Sequence, residues 1–480
     1  MLGRILGVLG VPVLVVGLLW LGAVIYFQQA ETDVSSVDIV IWFALVPLAA
    51  VVAWFIGKAL HTRSKTPPAE TAAAPDSPAS PEKDDRLSLQ LAILSAEVNT
   101  AAGESAADLL GAMRKGDIRP GFNERLFDAD GMPVKTSSHD ALATDEYLPW
   151  VEKWLRSADN ASDLNPEDGA RLLALLDPPL NRTLEVLASL PALTEAGTGT
   201  HKPSQEPQLR PLATKIFTAP VWQEMISTYV RTQVAQAGGL AFGIVRADAD
   251  RPELQADAMR VADAFCKAST EAYSSCILMI VACDSLTAQA QVDVLEANGL
   301  LFTSANQAGF IPGEGAAVIL AAPPALVGAD TPPLASLHRA AFGAREKPVD
   351  AQGRIDAAHL QELGNATLTN AELQTSSVAG LISDCDHRSP WLTEAAMLIN
   401  ASLSELDPVA DHLALGNALG STGHASSTLA LAFAAHAIAI DEKPLLVASL
   451  TDKRARSIVA LSPWQAPAAA PITPATANQS

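Results

Sequence analysis

The stretch GFIPGEGAAVIL, residues 309–320, joins a turn rich in glycine and proline to a continuous apolar run. Glycine adopts positive φ angles and lets the backbone pass close to a neighbour, so the first part predicts a tight turn. The apolar run 316–321 predicts a strand covered on both faces. Because the turn lacks the lysine of a phosphate-binding loop and leads into a strand rather than a helix, we expect no nucleotide cofactor here.

Short apolar runs and amphipathic stretches alternate on both sides of this turn. The predicted strands are 89–94, 240–245, 277–283, 397–403 and 445–449. The predicted helices are 104–115, 256–273 and 428–440. Alternation of this kind predicts an α/β protein with helices packed on mixed sheets.

Composition excludes several classes of function. The chain has 480 residues and a net charge of −21, which argues against a nucleic-acid partner. Its four cysteines, Cys266, Cys276, Cys283 and Cys385, form neither a CxxC pair nor a metal-ligand spacing. Unpaired cysteines favour a reducing compartment, and we expect no metal centre.

Two uncharged runs near the N-terminus, about 5–27 and 39–57, are long enough to cross roughly 30 Å of hydrocarbon. A cleaved signal peptide is the alternative for the first run, but a second span follows it directly. Bases flank the pair, and the intervening loop holds only acids (Arg4, Lys58, Arg63 and Lys65; Glu31, Asp33 and Asp38). The positive-inside rule then places both ends in the cytoplasm of a bacterial inner membrane.

Composition also suggests four regions. Residues 1–60 hold the two transmembrane helices, and 61–86 form a flexible linker rich in proline, alanine, serine and charge. Residues 87–464 form the folded domain, and 465–480 form a disordered tail.

Five residues of the opening stretch carry a family resemblance: Gly309, Phe310, Gly313, Glu314 and Gly315. They resemble the GF-x-x-GEGA turn and strand of β-ketoacyl-acyl-carrier-protein synthases, which belong to the thiolase superfamily. The stretches 89–120, 277–289 and 415–438 resemble the family in order and spacing, and 171–187 resembles its early helix. The resemblance implies a thiolase-like layered fold of two similar α/β halves. It also implies a homodimer paired through an edge strand beside the nucleophile helix, here near 277–282.

The resemblance places the catalytic residues of the family at positions that lack them. The family uses a cysteine at a helix N-terminus and two histidines, or a histidine and an asparagine. Here the three positions hold Ala258, Asp384 and Gly420, while His387 and His424 are displaced. The glycine-rich closing loop is replaced by LTDKRAR, residues 450–456, whose bulky charged side chains we expect to obstruct acyl access.

Other candidate sites are weaker. Cys385 is the fallback nucleophile, although its flanking aspartates raise a thiol pKa and favour a structural thiol. Asp384, Asp386 and His387 could hold a cation, but three ligands in four consecutive residues rarely converge on one ion. No GxSxG elbow is present for a serine hydrolase.

Three functions remain open on the sequence. The first is a membrane-anchored, cytoplasm-facing pseudo-enzyme that binds a protein partner. Weak similarity at FNERLFDADGMPV and LISDCDHR suggests a link to type VI secretion, where such a protein would help load cargo. The second is an active acyl-transferring enzyme of lipid or polyketide metabolism, and the third is a small-ligand sensor.

The topology can be tested with reporters fused after Lys65. Because the linker carries the basic flank of the second span, a reporter that works only in the cytoplasm should be active there. A reporter that works only in the periplasm should be inactive at the same position. Periplasmic activity would overturn both the topology and the compartment.

Overall fold

A computed structural model describes residues 89–139, 141–157, 164–190, 212–237, 257–269, 276–328 and 332–465, and the backbone of 242–244. The predicted spans, the linker and nearly all of the predicted tail lie outside these residues.

The folded domain consists of strands and helices in mixed order. Its strands are β1 (Gln90–Thr100), β2 (Gly121–Phe127), β3 (Pro133–Thr136), β4 (Leu212–Phe217), β5 (Phe242–Ile244), β6 (Ile277–Ser285), β7 (Glu314–Ala322), β8 (Ala335–His338), β9 (Ala341–Ala344), β10 (Leu381–Ser383), β11 (His412–Ala414), β12 (Leu445–Ser449) and β13 (Ala455–Ser462). Its helices are α1 (Ala106–Lys115), α2 (Leu148–Ser157), α3 (Pro166–Ser189), α4 (Gln223–Gln236), α5 (Ala258–Ala268), α6 (Gln289–Ala297), α7 (Ala358–Asn370), α8 (Ser389–Ser402), α9 (Gly416–Leu419) and α10 (Ser426–Asp441).

The main sheet repeats one pairing pattern twice. In the first half, β1 pairs antiparallel with β7 and β7 with β6, and β6, β4 and β5 then run parallel. In the second half, β8 pairs antiparallel with β13 and β13 with β12, and β12, β10 and β11 then run parallel. An antiparallel pairing of β1 with β8 joins the halves. The two similar α/β halves implied by the resemblance are therefore present.

Helices cover both faces of this sheet and fill the space between its halves. Eleven residues of α10 are buried, including Phe433, as expected of a helix that is apolar on all sides. Helix α10 shares one hydrophobic cluster with α5 and both sheet halves. Helices α3 and α4 pack on the first half, and α7 and α8 pack on the second. This confirms a layered α/β fold.

In the part of the chain that the structure describes, one helical segment is long and apolar enough to cross a membrane. It is Gly423–Asp441, which contains α10, and most of it is buried. Its composition therefore reflects its place in the protein core.

Glu314, the glutamate of the opening motif, is fully buried at the start of β7. Arg171 of α3 binds it through two nitrogens, at 2.5 and 2.6 Å. The hydroxyls of Ser285 and Thr287 each donate to it at 2.8 Å, and the N–H of His139 donates as well. Burial alone would raise the pKa of Glu314, but Arg171 and the other donors hold it below the usual value.

The glycines of the motif are required by close backbone contacts. A Cβ at Gly313 would lie 2.0 Å from the carbonyl oxygen of Leu419, and one at Gly309 would lie 2.2 Å from that of Leu301. Neither gap accepts a side chain, so the turn can pass its neighbours only with glycine at both positions.

Two predictions about the fold are wrong. Residues 397–403 lie mostly in helix α8 and form no strand, because Ala395, Leu398 and Ile399 face the core at helical spacing. The segment 277–282 is not an edge, since β6 has β4 on one side and β7 on the other. Among the described residues, the strand at the edge of the sheet that precedes the helix beginning at Ala258 is β5.

Replacing Glu314 with alanine should destabilise the fold strongly, because it leaves Arg171 and three other donors without their acceptor. We expect a loss of about 3–5 kcal/mol in the free energy of unfolding, measured by urea denaturation. Asp441→Ala is the matched control: it removes the exposed ion pair with Arg114 and should cost at most about 1 kcal/mol. Equal losses in the two variants would contradict this role for Glu314.

Candidate functional site

A cavity of about 290 Å³ lies at the start of helix α5. Five segments form it: the start of α5, the turn before β7, the residue after β10, the turn leading into α10, and the ends of β12 and β13 with the loop between them. Its lining residues are Asp257, Arg260, Phe310, Asp384, Ser421, Gly423, Ser426, Ser427, Ser449, Thr451, Asp452, Ala455 and Ser457. The cavity thus lies where the resemblance places the catalytic residues of the synthase family.

The helix start at Ala258 holds no nucleophile. Ala258 is fully buried and is the first residue of α5. Its N–H donates to the hydroxyl of Ser427 at 3.1 Å. Asp257 caps the helix by accepting from the N–H of Met259 at 2.9 Å, and it also accepts from the hydroxyl of Ser457. The first N–H groups of this helix are therefore already bound by acceptors of the protein itself.

Asp384 lines the same cavity from the end of β10 and is only 5% exposed. Its carboxylate accepts from the Leu450 N–H at 2.6 Å, the Ser449 hydroxyl at 2.7 Å and the Thr451 hydroxyl at 3.2 Å. Burial raises the pKa of Asp384 to about 6, and the charge of Asp257 adds to this effect. Burial raises the pKa of Asp257 as well.

The third position, Gly420, has no room for a side chain. Its φ angle is +64°, a conformation that favours glycine. A Cβ there would lie 2.7 Å from the carbonyl oxygen of Ile311 and 3.1 Å from that of Pro312. A histidine could not occupy this position without moving the backbone.

The two nearby histidines point away from the cavity and are not among its lining residues. His424 binds Asp284, at the end of β6, through both Nδ1 (2.7 Å) and its backbone N–H (2.9 Å). The hydrogen bond to Asp284 raises the pKa of His424. His387 packs its ring edge against Phe302, and its Nε2 lies 3.2 Å from the carbonyl oxygen of Gln307. Both histidines therefore support local structure.

Cys385 does not serve as the fallback nucleophile in this structure. It is fully buried in the hydrophobic cluster that contains Trp391 and Leu398. Burial raises the pKa of its thiol, and Asp384 raises it further. A protonated thiol with no access to solvent or to the cavity is a poor nucleophile.

The cation site considered on the sequence does not form. Asp384 binds the loop after β12, whereas Asp386 pairs with the guanidinium of Arg388 at 2.8 Å, and His387 turns toward Gln307. Within the described ranges no three histidine, cysteine, aspartate or glutamate side chains are grouped to hold a metal ion.

The loop between β12 and β13 does not obstruct the cavity with its bases, contrary to the sequence-based expectation. Lys453 and Arg454 are exposed and do not line the cavity. Arg456 is fully buried and turned into the core, where it binds Glu394 at 2.8 and 3.0 Å. This wall is formed instead by Ser449, Thr451, Asp452, Ala455 and Ser457.

Sequence reasoning placed Ala258, Asp384 and Gly420 together but missed the side chains that bind around them. An aspartate just before the first apolar residues of a helix is a capping signal, so Asp257 could have been found and the predicted start at 256 moved to Ala258. The hydroxyls of Ser427, Ser449 and Ser457 carry no comparable signal, because their roles depend on contacts between distant segments.

The fold resembles solved ketosynthase structures. A β-ketoacyl synthase from Burkholderia phymatum STM815 has a TM-score of 0.51 at 12% identity, covering 78% of this chain and all of that one. A ketosynthase from module 6 of the bacillaene synthase of Bacillus subtilis 168 also has a TM-score of 0.51, at 8% identity, covering 78% and 72%. The oxazolomycin ketosynthase domain OzmH KS7 of Streptomyces albus JA3453 has a TM-score of 0.50 at 12% identity, covering 80% and 75%.

No protein-family model matches the sequence, and none of the curated proteins matches it. By its similarity to these solved structures, the described domain has a β-ketoacyl synthase-like fold, of the thiolase-like type. At 8–12% identity these structures show the fold alone.

The inertness of Cys385 can be tested by alkylation at pH 8. Because the thiol is buried and its pKa is raised, iodoacetamide should modify it at least about a hundredfold more slowly than an exposed cysteine. Val409→Cys supplies that comparison, since Val409 is 85% exposed. Peptide mass spectrometry locates the label; comparable rates at the two positions would show that Cys385 is accessible.

Proposed function

We propose that this protein is a membrane-anchored, cytoplasm-facing pseudo-enzyme with a β-ketoacyl synthase-like fold, and that it acts by binding a protein partner. One observation carries the proposal: the helix start that would present a nucleophile holds Ala258, whose N–H is bound by Ser427. The two predicted spans support the anchoring.

Condensation needs groups that this cavity lacks. Without a thiolate, nothing carries the acyl group between transfer and condensation. Donors aimed at a developing oxyanion are worth roughly 3–4 kcal/mol of barrier, and here the nearby N–H groups of Ala258 and Leu450 are bound to other residues. Two carboxylates, Asp257 and Asp384, would oppose rather than stabilise a developing negative charge.

One surface suits protein contacts. The edge strand β5 leaves one side free of strand pairing among the described residues, so it is our candidate for pairing two subunits. We also propose that the protein bound by this dimer is a secretion cargo or accessory protein. The ground is the weak similarity of FNERLFDADGMPV and LISDCDHR to type VI secretion proteins.

Two alternatives keep specific support. The ketosynthase-like fold is equally compatible with an active acyl-transferring enzyme. The cavity of about 290 Å³ favours a small-ligand sensor, and the carboxylates and hydroxyls in its lining could bind polar groups of a ligand.

Incubation with a radiolabelled acyl-carrier-protein substrate tests the proposal. The protein should retain no covalent label, because it has no accessible thiol at a helix N-terminus, while an active ketosynthase run in parallel should retain it. Label that is retained by the protein and lost in Cys385→Ala would show that another nucleophile has been recruited.

Co-purification separates the remaining functions. Full-length protein isolated from its membrane should carry a protein partner at fixed stoichiometry, and His424→Ala should keep both that partner and the lack of acyl label. Isolation with a bound small molecule and no partner would favour the sensor.

A further inference from the structure

The carboxylate of Asp384 is bound only by neutral groups. Its hydrogen-bond donors are one backbone N–H and two hydroxyls, all from residues 449–451. No ion pair among the described residues includes Asp384 or Asp257. An ionised carboxylate buried without a cation is expensive compared with one in water.

The charged groups around Asp384 do not supply that cation. Asp257 and Asp452 line the same cavity and are acidic, while Arg260, the basic lining residue, stacks on the ring of Phe342 with its guanidinium carbon 4.3 Å from the centroid.

Two more arginines belong to neighbouring elements. Arg388, which precedes α8, is bound to Asp386, and Arg456 of β13 is bound to Glu394 of α8. Each of these guanidinium groups already has a carboxylate partner, so neither neutralises Asp384.

Hydrogen bonds hold the loop over this side of the cavity from two sides. On the inner side, the carboxylate of Asp384 binds residues 449–451. On the outer side, the N–H of Val349 donates to the carbonyl oxygen of Lys453 at 2.9 Å, and the N–H of Arg345 donates to the carbonyl oxygen of Arg454 at 2.8 Å. In addition, the carbonyl oxygen of Asp452 accepts from Arg456 at 2.7 Å and from Trp391 at 3.4 Å, and Leu450 is fully buried in the core. Only the inner hydrogen bonds depend on a group that titrates near neutral pH.

We propose that Asp384 makes this wall of the cavity pH-sensitive: ionisation of its carboxyl group loosens residues 449–452, and protonation closes them. The physical reason is that opening the loop lets water reach a charge that the closed structure leaves without a cation. This pH-dependent access to the cavity does not depend on whether the protein binds a partner or an acyl group.

The direction in which loop closure depends on pH follows from the linkage between proton binding and closure. In the closed state the pKa of Asp384 is raised to about 6, and in an opened, hydrated state it returns toward its ordinary value. The closed state therefore holds the proton more tightly, so closure is most stable at low pH and weakens as pH rises through about 6. Between pH 5 and 7.5 the opening equilibrium should rise about tenfold.

Hydrogen exchange of the full-length protein tests this, followed by mass spectrometry on peptides that cover residues 446–456. After correction for intrinsic exchange, the opening of 449–452 should increase about tenfold from pH 5 to 7.5. In Asp384→Asn this increase should vanish, because the amide cannot ionise. Peptides from β6 should not change in either protein.

Asp407 offers a matched control. It also accepts from two backbone N–H groups of its own loop, those of Val409 and Ala410 at 2.7 and 2.9 Å. These N–H groups lower its pKa, so it stays ionised at both pH values. Asp407→Asn should loosen its loop equally at pH 5 and 7.5, with no change in pH dependence.

A second variant covers the case in which Asp384→Asn fails to fold. Ser449→Ala with Thr451→Val removes two donors to the ionised form, so the midpoint of the pH-dependent opening should move to higher pH. A wild-type loop whose opening is independent of pH would overturn the proposal. So would an unchanged pH dependence in folded Asp384→Asn, which would assign the effect to another group such as Asp257.

Discussion

The ion pair of Glu314 and Arg171 holds together parts of the chain that no single element connects. Glu314 begins β7, Arg171 lies in the first turns of α3, and Ser285 and Thr287 end β6 and begin the next loop. A fully buried carboxylate is tolerated only when its oxygens are satisfied, and here five donors supply that need. The network therefore fixes the register of the central strands against the helix layer outside them.

This framework positions the cavity between the two sheet halves. The repeated strand pattern brings the start of α5, from the first half, opposite the ends of β10 and β12, from the second. Parts from both halves must meet to form it, so the cavity depends on the packing of the whole domain. The groups that meet there are carboxylates and hydroxyls, and they bind one another rather than facing a reacting atom.

Much of this could be predicted from the sequence, and the limits have physical causes. Glycine turns and long apolar runs are local signals, so the strand at 445–449 coincides with β12 and the run at 316–321 lies within β7. The prediction of a strand at 397–403 was wrong because a short apolar segment fits a buried helix as well as a buried strand. The positions Ala258, Asp384 and Gly420 followed from the resemblance. Their hydrogen-bond partners did not, because Ser427 and Ser457 reach Ala258 and Asp257 only through tertiary packing.

Gly420 sets a limit on how this cavity could change. Its positive φ angle and the carbonyl oxygens of Ile311 and Pro312 exclude any β-carbon. Ile311 and Pro312 belong to the same turn that leads into Glu314, so shifting them would disturb the network that secures the core. A side chain at 420 therefore requires a compensating shift of the turn at 311–312. The backbone at 420 and the turn at 311–312 are thus coupled, so the two positions can change only together.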